Sequence, residues 1–198
     1  MKKSILWIVL GGLLLIVLIF GGCSVSKYNT MVELNQNVEQ TWGNVQNYYP
    51  RRADLVPNLV STVKGAAAHE ANTLQAVTDA RAKVGSINIT ADNLTEETLK
   101  QYQEAQNELT QAMKSVMMVA ESYPNITGTQ NFRDLQVQLE GAENRIATAR
   151  MDYTKAVSEY NTAVQSFPGN IVASLFGFEK KPQFAADASA QTAPKVEF

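Results

Sequence analysis

The chain has 198 residues, and its 17 Lys+Arg against 19 Asp+Glu leave a formal net charge of -2. Nucleic acid demands a clustered basic surface or aromatic stacking platforms, and this near-neutral, aromatic-poor composition argues against both. Cys23 is the one cysteine and His69 the one histidine, which excludes an intrachain disulfide and a multi-histidine metal site. Apart from an apolar N-terminal stretch and a C-terminal tail, roughly 155 residues remain, enough for one compact domain.

Lys2-Lys3 precede an apolar run from Ile5 to Phe20, and no charge occurs between Ser4 and Lys27. At ~1.5 Å per residue, about 22 helical residues cover the ~30 Å hydrocarbon layer, whereas a cleavable signal core is only ~7–15 residues long. The positive pair favours a cytoplasmic N-terminus, with the rest of the chain on the periplasmic side of the inner membrane. A second reading starts from Phe20-Gly21-Gly22-Cys23, where small residues before a cysteine resemble a lipobox and Cys23 would carry the lipid. Phe20 stands where an aliphatic residue is usual. Both readings make residues 1–25 a membrane anchor.

Four helical stripes follow. Tyr28, Met31, Val38, Trp42, Val45 and Tyr49 predict a first helix ending near Tyr49, with Asn35 a polar residue in its seam. Val56, Val60, Val63, Ala67, Leu74 and Val77 predict a second, from about Asp54 to Val84, with Asp54 or Pro50 opening it. Leu99, Tyr102, Leu109, Met113, Val116, Ala120 and Tyr123 predict a third from Thr95, interrupted by Gln106. Thr95 is the expected N-cap, and Glu96 and Glu97 suit the positive end of the dipole. From Phe132 to Phe167 the spacings of three and four alternate without a break, a heptad seam that Thr129 can cap and Pro168-Gly169 ends. The linkers Pro50–Ala53, Ser86–Leu94 and Pro124–Gly128 are short, so neighbouring helices run antiparallel. The expected fold is all-α: an N-terminal transmembrane helix, then an up-down-up-down four-helix bundle of long helices over residues 26–181. Residues 182–198, rich in Ala, Ser and Gln, read as a disordered tail.

If the first helix leaves the membrane, its end lies at a distal tip, with Arg51, Arg52 and Asp54 there and Tyr123 beside them. These four are candidate partner-binding residues; the structural alternative is that Asp54 caps a helix and the arginines pair with carboxylates or terminal carbonyls. The last helix returns Ile171, Val172, Leu175, Phe176 and Phe178 to the membrane side. They either plug the open end of the bundle or contact lipid or a neighbouring subunit.

Glu70 falls between Ala67 and Leu74 in the second stripe, so it needs a buried partner, and Arg145 or Arg150 are the candidates. Breaking such a pair would cost about 3 kcal/mol. His69-Glu70 is no half of a zinc motif, because the second histidine position holds Thr73. With no nucleophile elbow, P-loop, Rossmann glycines or Cys/His pair, no catalytic residue, metal or cofactor is expected.

Several longer matches, in order, carry a resemblance to the LemA family over almost the whole chain. They are Tyr28-Asn29; Arg51-Arg52-Ala53-Asp54-Leu55-Val56-Pro57-Asn58-Leu59-Val60; Ala80-Arg81-Ala82; Leu139-Glu140-Gly141-Ala142-Glu143-Asn144-Arg145-Ile146; and Phe176-Gly177-Phe178-Glu179. Pro50 and Gly21-Gly22-Cys23 depart from the family's usual pattern. The resemblance implies a membrane-anchored antiparallel bundle without known enzymatic activity, in a family linked to membrane organisation and to membrane-protease neighbourhoods. Two functions follow as expectations. One is a scaffold that self-assembles as a homo-oligomer on the bilayer; the other is a monomeric adaptor presenting clients to a membrane protein partner such as a protease.

Overall fold

The computed structural model describes residues 2–64, 70–91 and 93–185. All regular structure among them is helical, in seven elements: α1 Lys2–Ala53, α2 Val56–Lys64, α3 Ala71–Ser86, α4 Glu96–Glu121, α5 Pro124–Thr127, α6 Gln130–Gln165 and α7 Gly169–Phe176. The all-α expectation therefore stands. Among the described residues no helix is long and apolar enough to cross a membrane. The expected span rests on side chains between Ile5 and Phe20, half of which lie outside the described residues.

The chain forms two compact units. One comprises Met1–Glu39 and Lys155–Lys181, the other Gln40–Thr154 and Pro182–Phe198.

The larger unit holds the main core. Val56, Leu59 and Val63 of α2, Val77 of α3, Leu109 and Val116 of α4, and Phe132 and Leu135 of α6 are buried together. Thr95 caps α4 as the sequence predicts. Its hydroxyl accepts from Thr98 N–H at 3.1 Å, and the Thr98 hydroxyl accepts from Thr95 N–H at 2.9 Å, so two otherwise orphaned donors are satisfied. At α6, Thr129 Oγ1 accepts from Phe132 N–H at 3.3 Å. The Pro124–Gly128 linker winds into the single turn α5.

Two expectations need correction here. The first helix does not stop near Tyr49 but runs through Pro50 to Ala53. Pro50 withholds one N–H from the ladder, yet Asp54 N–H still reaches Pro50 O at 2.8 Å, and the break falls at Asp54-Leu55. The expected second helix is two helices, and α2 prolongs the outgoing leg instead of starting the return. Arg81 Nε donates to Ala53 O at 3.0 Å, and the Gln46 amide donates to Ile89 O. These pairs set α3 and the residues after it back along α1, so Arg51 and Arg52 lie beside the returning leg and not at its far end.

In the smaller unit, Met31 and Val38 of α1 and Ala156, Val157, Tyr160 and Val164 of α6 are buried, with Val172 and Ala173 of α7. The sequence seam on α6 passes through Ala163 and Phe167, yet Val164 is buried and Phe167 is exposed. Phe167 lies beyond the end of α6, in the turn that precedes α7, so the stripe no longer orients it. Gly169 begins α7 where no side chain fits: a Cβ there would stand 2.4 Å from Ala163 O and 3.0 Å from Met31 Cε. Gly177 ends α7 at φ 76°, the left-handed cap that glycine adopts without strain, and Phe178 N–H closes it on Ala173 O at 2.9 Å.

Candidate docking and membrane-facing surfaces

Arg51 and Arg52 are neighbours with opposite surroundings. Arg52 is 2% exposed. Its Nη1 donates to Glu143 Oε1 at 2.7 Å and Thr110 Oγ1 at 2.8 Å, and its Nη2 to Gln106 Oε1 at 2.5 Å and Gln106 O at 3.2 Å. The guanidinium also stands 5.4 Å from the Tyr49 ring centre. One planar fork thereby ties α1 to α4 and α6, which suits arginine and not lysine. Arg52 is consequently no docking residue. Gln106, which interrupts the α4 stripe in the sequence, is buried as its partner.

Arg51 points outward, 6.0 Å from the Tyr48 ring centre. It flanks a cavity of about 390 Å³ lined by Tyr48, Leu55, Val137, Gln138, Gly141, Ala142 and Arg145. Gly141 keeps this groove open, since a Cβ there would meet nothing within 4 Å. Tyr48 and Arg145 also border a second hollow of about 250 Å³ with Asn44, Asn144, Thr148, Ala149 and Asp152. Asp54 is exposed, with one carboxylate oxygen 3.6 Å from Arg81 Nη2. Tyr123 is partly buried against the main core at the N-cap of α5. The four expected tip residues are thus dispersed, and only Arg51 borders an open apolar groove.

The expected Glu70 pair is not formed among the described residues. Glu70 is partly exposed and precedes α3 with φ −99° and ψ 35°, so the stripe from Ala67 to Leu74 does not continue through it as one helix. Arg145 is exposed on the groove. Arg150 lies 4.7 Å from the Phe184 ring centre. Among the described residues a buried arginine is instead paired at Arg52, with the half-exposed Glu143. Asn35 bonds Glu39 Oε1 at 2.7 Å along its own helix, the edge arrangement.

The segment from Ile171 to Phe178 divides. Val172 and Ala173 are buried, whereas Ile171, Leu175 and Phe176 are 56%, 76% and 55% exposed. Tyr28 holds the far end of α7, its ring centre 4.9 Å from that of Phe176 and 5.5 Å from that of Phe178. Phe167, 76% exposed, adds a residue the sequence assigned to the seam. Cys23 is exposed on α1.

The tail begins later than residue 182. Asn161 clips Lys181, donating from Nδ2 to its carbonyl and accepting from its N–H, both at 2.9 Å. In the larger unit Gln103 clips Ala185 likewise, at 3.0 and 3.2 Å, and the Tyr153 hydroxyl donates to Pro182 O at 2.8 Å. Phe184 joins the Trp42 and Tyr153 rings at 6.3 and 5.5 Å. An aromatic residue in a polar stretch was the one sequence signal for this strap. Residues 186–198 lie outside the described set. Burial raises the phenol pKa throughout this aromatic core: that of Tyr102 to about 12, and that of Tyr153 well above the usual tyrosine value.

His69 lies outside the described residues, and among those described no group of three or more His, Cys, Asp or Glu side chains could hold a metal ion.

The chain is 27% identical to magnetosome proteins MamQ 1 and MamQ 2 of Paramagnetospirillum magneticum, over 84% of this chain and 67% of each relative. It is 22% identical to magnetosome protein MamQ of Magnetospirillum gryphiswaldense over the same shares. The LemA family pattern matches residues 41–198, which take in Arg52 with its partners, the Arg51 groove and α7. The chain belongs to the LemA family.

Proposed function

We propose that this protein is a membrane-anchored, non-enzymatic helical scaffold that self-assembles on the bilayer and organises or remodels it. The carrying observation is the continuity of α1 from Lys2 to Ala53. If the uncharged run from Ser4 to Lys27 crosses the inner membrane, no flexible linker separates the anchor from the helix that carries Trp42, Tyr49 and Arg52. Force or curvature would then pass directly between membrane and bundle. Lys2 and Lys3 place the N-terminus in the cytoplasm and the bundle in the periplasm. The relatives named magnetosome proteins support a role at a specialised membrane. In the lipoprotein alternative Cys23 carries the anchor instead, and the intact mass of the mature protein separates the two.

The test is imaging of full-length protein on lipid vesicles together with its size in detergent. Rings, ordered arrays or vesicle deformation support the scaffold, and a discrete monomer on undeformed vesicles overturns it.

The second reading, an adaptor, is favoured by one feature, the apolar groove between Arg51 and Arg145. A monomeric chain whose pull-down of a membrane protein partner is lost on Gly141→Phe, which fills the groove, would support the adaptor; an unaffected pull-down would reject it.

A further inference from the structure

We propose that α7 is an interfacial helix, lying in the headgroup layer of the bilayer with Ile171 and Leu175 seated toward the acyl chains. This rests on the reading that the run before Lys27 is inserted.

Position is the first argument. Both ends of α7 are held by one turn of α1: Gly169 abuts Met31, and Phe176 and Phe178 stack on Tyr28. Tyr28 stands two residues beyond Ser26, the last residue of the uncharged run, about 3 Å of helix rise. A segment fastened at Tyr28–Met31 is therefore fastened at the level where the lipid begins.

Sidedness is the second. Gly169, Val172 and Ala173 face inward, and the opposite face carries Ile171 and Leu175, four residues apart and each more than half exposed. Large apolar side chains in such a stripe mark a surface that is covered in use. The close approach at Gly169 and the left-handed cap at Gly177 fix which face turns outward, and neither depends on what covers it. A bilayer is the occupant chosen because its surface is continuous with the anchor's point of exit, and an amphipathic helix with one apolar face is the form that lies in that layer.

The test uses the full-length chain with Cys23→Ser and one introduced cysteine at a time, carrying a small fluorophore, in vesicles of phosphatidylethanolamine and phosphatidylglycerol that contain a nitroxide-labelled lipid. The positions are Ile171→Cys, Leu175→Cys, Met118→Cys on an exposed site of the larger unit, and Leu14→Cys within the run. Circular dichroism selects variants with wild-type helicity. The expected result is quenching by lipid nitroxide at Ile171, Leu175 and Leu14 and none at Met118. Quenching at Leu14 but not at Ile171 or Leu175 overturns the interfacial helix and leaves the anchor standing. Labels at Ile171 and Leu175 that are shielded from water yet unquenched by lipid nitroxide assign the face to a second copy of the chain, which also overturns it. An unquenched Leu14 removes the anchor and the inference together.

Discussion

In the larger unit polar groups go inside, and in the smaller one apolar groups stay outside. Residues 40–154 bury Arg52, Gln103 and Gln106 among Trp42, Tyr49, Tyr102 and Tyr153, and give each of the three side chains hydrogen-bond partners, though Arg52 Nε and Gln106 Nε2 have none. Residues 155–181, with the first part of α1, leave Ile171, Leu175 and Phe176 uncovered on a helix whose other face is tightly fitted, and Phe167 uncovered in the turn before it. The difference separates two kinds of constraint. A buried fork such as Arg52 specifies which helices meet and at what level; an uncovered stripe on a fixed helix specifies what the molecule meets.

The largest expected effect comes from alkali, because it attacks the aromatic core itself. Burial raises the Tyr102 pKa to about 12 and also pushes Tyr153 and Tyr160 up, the last with help from Glu179. Between pH ~10 and ~12 the unfolded chain has lost these protons while the native state keeps them, so stability falls as pH rises through that window. It is fully present below pH ~10. With Tyr28→Phe, Tyr48→Phe and Tyr123→Phe in place to remove the phenols outside the core, tyrosinate absorbance should therefore rise together with the loss of helical circular dichroism; titration at pH ~10 with helicity intact would show the buried phenols to be accessible.

Replacing Arg52 by Ala should cost about 3 kcal/mol, at the low end for a broken buried pair because Glu143 is partly solvated. The same change at Arg51 should stay within ~0.5 kcal/mol. Equal losses in chemical denaturation would erase the distinction between the two arginines. In the smaller unit, Gly169→Ala should cost about 2 kcal/mol, since the added methyl meets backbone oxygen, which cannot swing aside. Hydrogen exchange should locate that loss at α7. If it is spread evenly over the chain, the glycine does not act locally.

The sequence carried the helical stripes because burial imposes a period, and most of their inward residues are buried, among them Met31, Trp42, Val77, Leu109, Ile146 and Tyr160, whereas Val60, Tyr123 and Ala142 are half-buried. It could not carry the fate of Phe167, since a heptad count does not show that the helix ends at Gln165 and leaves Phe167 in the turn beyond it. Nor could it separate Arg51 from Arg52. Adjacent helical positions differ by about 100°, and which arginine faces inward depends on Gln106, Thr110 and Glu143, distant in sequence. The amide clips of Gln103 and Asn161 were equally illegible, because a glutamine on a helix looks the same whether it bonds water or backbone.

The smallest expected effect tests the residue where sequence and structure part most clearly. Read along an unbroken stripe, Glu70 would be a buried carboxylate and its loss as damaging as that of Arg52. The structure instead puts it, partly exposed, in front of α3, with no side-chain cap bond. What remains is its charge near the positive end of a helix dipole, worth about 0.5 kcal/mol and screened by salt. Glu70→Ala should therefore lower the melting temperature slightly at low ionic strength and hardly at all in high salt. A loss of ~3 kcal/mol that persisted in salt would mean that Glu70 is buried against a cation after all.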